Sequence, residues 1–371
     1  MRRLLLIATA AALVAAPVSL GLDRGQTRAL ARVAVQLSGL SERRPLRVVA
    51  VPAQAFEQRR AAALDRAAPR AARAHDERVL HALGLAGELR RAYLVVHADN
   101  GFYDPRTRTG YVRAGAGERA AGLRVAVRAL EDQHFGLGRL ARMPSRDARL
   151  AATAAFDGYA ELVTRGVVGR RSAPTTRSRL GRFVALERDL RASAGTRFIG
   201  GLRHLGGPAV ALGGVRRLPA TTEQVLHLDK YLEREPAARV ALPPAAVGLR
   251  LREAGTFGEL DVRALLGAFA VPRRDRAAAG WGGGRTARYT GPAGEAIAVV
   301  LTWDTALDAA QWDAAAAQYL RAAFGGSATG VAFTRSGRRT SLVVGPDAPR
   351  AEALARALTG QSRAVSTSGR D

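Results

Sequence analysis

The chain has no cysteine at all. That excludes disulfides, thiolate metal sites and a lipidated N-terminal cysteine, so packing alone must hold the folded part together. Lysine is nearly absent as well: among 57 basic residues Lys230 is the only lysine, and the rest are arginine. Aromatic residues make up 5% of the chain, too few to interleave with basic residues as stacking platforms for single-stranded nucleic acid. No strand leads into a G-x-G-x-x-G turn, so the glycine-rich stretch 200–214 does not read as a phosphate cradle. No internal repeat is visible.

What is present is a chain of 371 residues with 47% hydrophobic content, enough for a substantial core in one large or two smaller domains. The net charge of +25 raises nucleic acid as a partner. The arginines are spread over nearly every segment instead of forming one stripe, which argues against it. Anionic cell-envelope polymer or lipid fits a dispersed cationic surface better.

Residues 1–22 carry Arg2 and Arg3, then an apolar run from Leu4. They read as a signal peptide or an N-terminal membrane anchor, which places the remainder outside the cytoplasm, secreted or anchored. Residues 361–371 are rich in Ser, Thr and Gly and read as a flexible tail.

Apolar spacing predicts helices over residues 27–40, 53–85, 118–135, 146–164, 172–190 and 221–231, with a short strand at 46–51. A turn at Asp99-Asn100-Gly101 opens a hairpin whose return strand includes Tyr111. Residues 200–214 are expected as loop and packed turn. Beyond Pro236, Pro243 and Pro244, the chain alternates strands near 286–289, 297–302, 330–334 and 341–344 with helices at 307–324 and 349–358. The fold class is α+β, with a mainly helical region over 23–270 and an α+β region over 271–360.

One segment carries a chemical signature in altered form. Residues i and i+4 share a helix face, so two histidines at that spacing can hold zinc while the glutamate after the first activates water. The run Arg124-Val125-Ala126-Val127-Arg128-Ala129-Leu130-Glu131-Asp132-Gln133-His134-Phe135 resembles H-E-x-x-H-A-L-x-D-Q-H-F, the zinc helix of exported metallopeptidase-like proteins of high-GC Gram-positive bacteria. Five further segments are similar to that family's motifs in the same order. They are Phe102-Tyr103-Asp104-Pro105 (G-F-Y-D-P), Asp157-Gly158-Tyr159-Ala160 (E-G-x-A), Thr222-Glu223-Gln224-Val225-Leu226-His227 with Lys230-Tyr231, Gly280-Trp281-Gly282-Gly283 (a G-W-G-G turn), and Trp303-Asp304-Thr305 (a W-D-T strand end).

The resemblance implies a zincin-like pair of core helices, a zinc cofactor and peptidase chemistry, with Asp157 at the third-ligand position. The residues at these positions contradict that chemistry. Arg124 and Arg128 stand where histidines would hold the metal, and a guanidinium has no lone pair to give. Two such groups place about two positive charges where the cation would sit. Val125 stands where the general base would be and cannot abstract a proton. Neither an intact catalytic residue nor bound zinc is expected, and the reading leans away from an enzyme.

Three functions remain open at this point. The first is a pseudopeptidase that keeps its scaffold and binds a peptide or protein. In it, Arg124 or Arg128 would bridge to Asp157, and to Glu161 one turn later. The second is a hydrolase with relocated groups among Asp132, His134, Asp157 and Glu161, although Asp132 and His134 lie on different faces of one helix. The third is an adhesive envelope protein. His227 and Glu223 are expected to fix a local turn, and Trp281 and Trp303 to fill the core.

Overall fold

The computed structural model describes residues 22–67, 70–97, 99–115, 117–168, 176–325 and 329–360. The targeting segment and the C-terminal tail expected from the sequence therefore lie outside the described residues, apart from Leu22. None of the described helices is long and apolar enough to cross a membrane.

In chain order the elements are α1 (Arg24–Ser38), β1 (Val48–Val51), α2 (Ala53–Ala67), α3 (Arg70–Ala82), α4 (Leu89–Val96), β2 (Gly101–Asp104), β3 (Thr109–Arg113) and α5 (Glu118–Phe135). After a 3-10 turn at Leu137–Arg142 come α6 (Arg146–Val168), α7 (Arg179–Arg216), α8 (Thr222–Leu226), α9 (Leu228–Glu233), β4 (Ala245–Ala246), β5 (Leu249–Thr256), α10 (Glu259–Ala268) and α11 (Arg274–Ala278). The chain ends with β6 (Trp281–Gly291), β7 (Gly294–Trp303), α12 (Ala306–Phe324), β8 (Val331–Ser336), β9 (Arg339–Val344) and α13 (Ala348–Thr359). The class is α+β.

Two compact units divide the chain. The first takes the described residues of Met1–Arg70, Arg90–Arg177 and Glu187–Glu235; the second takes those of Ala71–Leu89, Ser178–Leu186 and Pro236–Asp371. The sequence suggested a break near residue 270. The long cut falls at residue 235 instead, because β5 and α10 belong with the later strands.

In the first unit a three-stranded sheet has the order β1-β3-β2, with β1 parallel and β2 antiparallel to β3. Helix α5 lies on this sheet at very close range. A Cβ on Gly110 of β3 would come within 2.1 Å of Val125, and one on Gly101 within 3.0 Å of it. Away from the sheet, Leu123, Val127 and Leu130 of α5 join Leu30 and Ala34 of α1, Phe156 and Tyr159 of α6, and Phe198 and Ile199 of α7 in one apolar core. The contact between α6 and α7 is closer still. A Cβ on Gly158 would stand 2.1 Å from the backbone of Gly195, and one on Gly195 would stand 2.0 Å from the carbonyl oxygen of Ala154. Only glycine at both positions lets these backbones touch.

Helix α7 corrects the loop expected at 200–214. Those residues are helical except at Gly206 and Gly207, where the backbone breaks and Pro208 restarts the helix. Its glycines pack: a Cβ on Gly201 would meet Leu228 at 2.7 Å, and one on Gly214 would meet Leu202 at 2.6 Å. Tertiary contact overrides the poor helix propensity of glycine.

The second unit is built on an antiparallel sheet of order β4-β5-β6-β7-β9-β8. The expected G-W-G-G turn proves to be the start of β6, with Trp281 opposite Trp303 and a bulge before Gly283. Strand β5 and helix α10 were not anticipated. Trp281 and Trp303 are both buried, as expected; the indole of Trp281 donates to the carbonyl of Phe257 and that of Trp303 to Thr340 Oγ1.

Candidate functional site

The candidate site lies within the first unit, where α5, α6 and α7 meet. The i, i+4 spacing puts Arg124 and Arg128 on one face of α5, and the same spacing puts Asp157 and Glu161 on one face of α6. The two faces oppose each other. Arg124 Nε stands 3.6 Å from Glu161 Oε2, and Arg128 Nη2 stands 3.2 Å from Asp157 Oδ1. All four side chains are between 12% and 18% exposed, so these are semi-buried pairs that solvent screens only weakly. Arg124 also donates to the carbonyl of Val168 at the end of α6.

Arg128 has a second acid. Its Nη1 donates to Oε2 of Glu131, 3.0 Å away and one turn further along α5. Burial opposes the charge on Arg128, but Glu131 and Asp157 outweigh it and raise the guanidinium pKa above its ordinary value. Glu131 is fully buried, and burial lifts its carboxyl to about 8 despite the attraction of Arg128. The arginine head also lies over the ring of Phe156, 5.7 Å from its centre, a cation–π contact on the apolar side of the cluster.

The sequence predicted the start of the third helix but gave it no part in the site. Arg191 of α7 reaches the other oxygen of Asp157, with Nε at 3.1 Å from Oδ2. One turn after Arg191 comes Gly195, the glycine that lets α7 touch α6 beside Gly158. Arg188 pairs with Asp99 at 2.8 Å. Near them stands His97, whose Nε2 is buried without a hydrogen-bond partner among the described residues. Burial first, then the charges of Arg191 and Arg188, hold that imidazole well below its ordinary pKa, so it stays neutral. Helix α7 adds a further pair, in which Arg146 and the hydroxyl of Tyr93 both donate to Glu187.

Val125 does not face these charges. It is 3% exposed and packs with Val48, Val112 and Ala121. A glutamate there would be pressed against Gly101 and Gly110 of the sheet.

Asp132 and His134 are not brought to Asp157 and Glu161. Asp132 accepts from the hydroxyl of Tyr103 at 2.8 Å and from the backbone N–H of Leu137 at 2.6 Å, so it ties the hairpin to the end of α5. His134 meets the carbonyl of Ser41 at 2.8 Å. Gln133 Oε1 accepts from the backbone N–H groups of Arg43 and Arg44. The D-Q-H half of the motif is thus a set of structural tethers. The T-E-Q-V-L-H segment behaves alike: Thr222 donates to Asp147, buried Glu223 pairs with Lys230, and the Glu223 carbonyl accepts from the N–H of His227.

The residues present do not fit a zinc ion. Two of the three positions at which the resemblance would put ligands are guanidiniums, which donate hydrogen bonds and accept none, and the third, Asp157, has an arginine at each oxygen.

The profile of a domain family of unknown function (DUF8575) matches residues 248–362. That stretch falls in the second unit and includes Trp281 and Trp303; Arg124, Arg128 and Asp157 all precede it. No curated protein and no solved structure is significantly similar to the chain.

Proposed function

We propose that this chain is a non-catalytic, extracytoplasmic relative of H-E-x-x-H metallopeptidases, in which an arginine–carboxylate cluster takes the structural place of the metal and the scaffold serves to bind a peptide or protein. The observation that carries the reading is the pairing of Arg124 with Glu161 and Arg128 with Asp157 across two helices. These four positions are where the resemblance puts the zinc ligands and the residue one turn after the third. In place of a coordinated cation, two fixed cations neutralise the acids of α6.

Loss of chemistry does not remove the means of binding. The sheet has the order β1-β3-β2, so β1 and β2 each lack a second strand partner among the described residues. An extended peptide could add to such an edge through backbone hydrogen bonds, with no metal required.

The test is metal stoichiometry in two proteins. The wild-type chain purified without chelators should carry no stoichiometric zinc, and about one equivalent by elemental analysis would overturn the reading. The variant R124H/R128H places two imidazoles at i, i+4 beside Asp157 and should take up about one equivalent of zinc by titration calorimetry. A correctly folded variant that takes up none, even with Arg191 also replaced by leucine, would overturn the reading of these positions as a former metal site.

A further inference from the structure

The break in α7 makes a helical hairpin within the first unit, and its tip has an unusual surface. The two arms lie close together, since a Cβ on Gly214 would come within 2.6 Å of Leu202 and 3.0 Å of Ile199. At the tip, residues 203–206 and 208–210 are exposed. Among them Leu205 is 59% and Val210 39% exposed, with Pro208 and Ala209 between them. Arg203 stands at the tip, exposed Arg197 lies further back on the first arm, and exposed Arg216 and Arg217 lie at the end of the second.

The hairpin itself carries charge of one sign. No acidic residue occurs between Leu190 and Thr222, although acids accompany the arginines of the neighbouring helices. At about 1.5 Å per residue, Arg197 and Arg216 sit about 9–12 Å behind the apolar end. Interfacial segments bury their apolar side about 5–10 Å into the boundary between headgroups and acyl chains. A tip seated at that depth would hold its arginines at the level of the lipid phosphates.

We infer that the 203–210 tip of the α7 hairpin docks on an anionic phospholipid bilayer, its Leu205 and Val210 entering the interface and its arginines pairing with lipid phosphates. The docking is independent of the N-terminal segment and of the cluster on α5 and α6. A protein partner would be expected to offer a complementary acidic pocket with an apolar floor; a bilayer needs only anionic headgroups and accessible hydrocarbon.

The test uses the full chain carrying L205W. The native tryptophans are 2%, 1% and 2% exposed at positions 281, 303 and 312, so an exposed indole at the tip reports separately. Vesicles of equimolar phosphatidylglycerol and brominated phosphatidylcholine should quench that indole. Vesicles of brominated phosphatidylcholine alone should not, and quenching should fall as salt rises. In the otherwise native chain, L205S/V210S should partition about tenfold more weakly into the anionic vesicles, and R203Q/R216Q/R217Q should lose most of the salt-sensitive binding. Co-sedimentation without quenching at position 205 would place the attachment elsewhere on the chain and overturn the proposal. Failure to bind anionic vesicles at all would overturn it equally.

Discussion

Replacing Asp157 with asparagine keeps the shape of the side chain and removes its charge. Asp157 is 16% exposed and takes Arg128 on Oδ1 at 3.2 Å and Arg191 on Oδ2 at 3.1 Å. Breaking a fully buried pair costs about 3–5 kcal/mol because a charge is stranded, whereas an exposed pair is worth about 0–1 kcal/mol. The site lies between these limits. Arg128 keeps its hydrogen bond to Glu131, and the amide oxygen of asparagine still accepts one hydrogen bond, so a loss of about 2 kcal/mol is expected. For a cooperative unit of about 150–250 residues that corresponds to a fall of about 4–8 °C in Tm. Thermal unfolding followed by circular dichroism measures it. The control is D313N, which breaks the Arg335–Asp313 pair between side chains 38% and 41% exposed. A D157N shift no larger than that of D313N would refute a structural role for the cluster.

Three other outcomes follow from the same packing. Glu131 has a carboxyl raised to about 8 in the folded chain, against about 4.3 for an unperturbed glutamate. The folded state therefore holds the proton more tightly, and stability should fall as pH rises from about 4 to about 8. E131Q should flatten that decline, and denaturant midpoints at pH 5 and pH 8 that move in parallel for both proteins would reject the assignment. G195A would drive a Cβ to 2.0 Å from the Ala154 carbonyl oxygen; since backbone cannot yield cheaply, a loss of about 3 kcal/mol is expected, read in the same denaturation experiment. D132A would leave the Tyr103 hydroxyl and the Leu137 N–H without their acceptor. It should cost about 2 kcal/mol, read as a fall in the denaturant midpoint.

Much of the first unit was legible because its signals are local. Helix α5 occupies the residues expected of it, bounded by Gly117 and by Gly136 at φ +69°. The meeting of Arg124 and Arg128 with the acids of α6 follows from the positions that the resemblance assigns, two on one helix and a third on the next, with Glu161 one turn later. The glycines misled where their role was tertiary. Helix α6 runs through Gly166 to Val168, past the expected end at residue 164, and Gly201 and Gly214 sit in helix where Leu228 and Leu202 already fill the space for a Cβ. Arg191 escaped notice because no local pattern links it to Asp157. A signal did exist in Gly158, directly after the acid, and Gly195, one turn after the arginine. A pair of small residues on two apolar helices marks where backbones can touch, and the charged neighbours of such a contact are then forced together.

Arg191 also changes what a rebuilt metal site would require. In the R124H/R128H variant both imidazoles would be free to coordinate, but Asp157 would still have a guanidinium at Oδ2, held there by the Gly158–Gly195 contact. A cation arriving at Asp157 would meet a fixed positive charge about 3 Å from its ligand oxygen, and the site is too shielded for solvent to screen it fully. Removing that arginine as well should strengthen zinc binding by at least tenfold, since about 1.4 kcal/mol suffices for that factor. The comparison of R124H/R128H with R124H/R128H/R191L by competition against a chromogenic chelator isolates this term. Equal affinities would mean that Arg191 moves aside when metal enters. In that case the charge on α7 would count for less than the two arginines of α5 in excluding the cation.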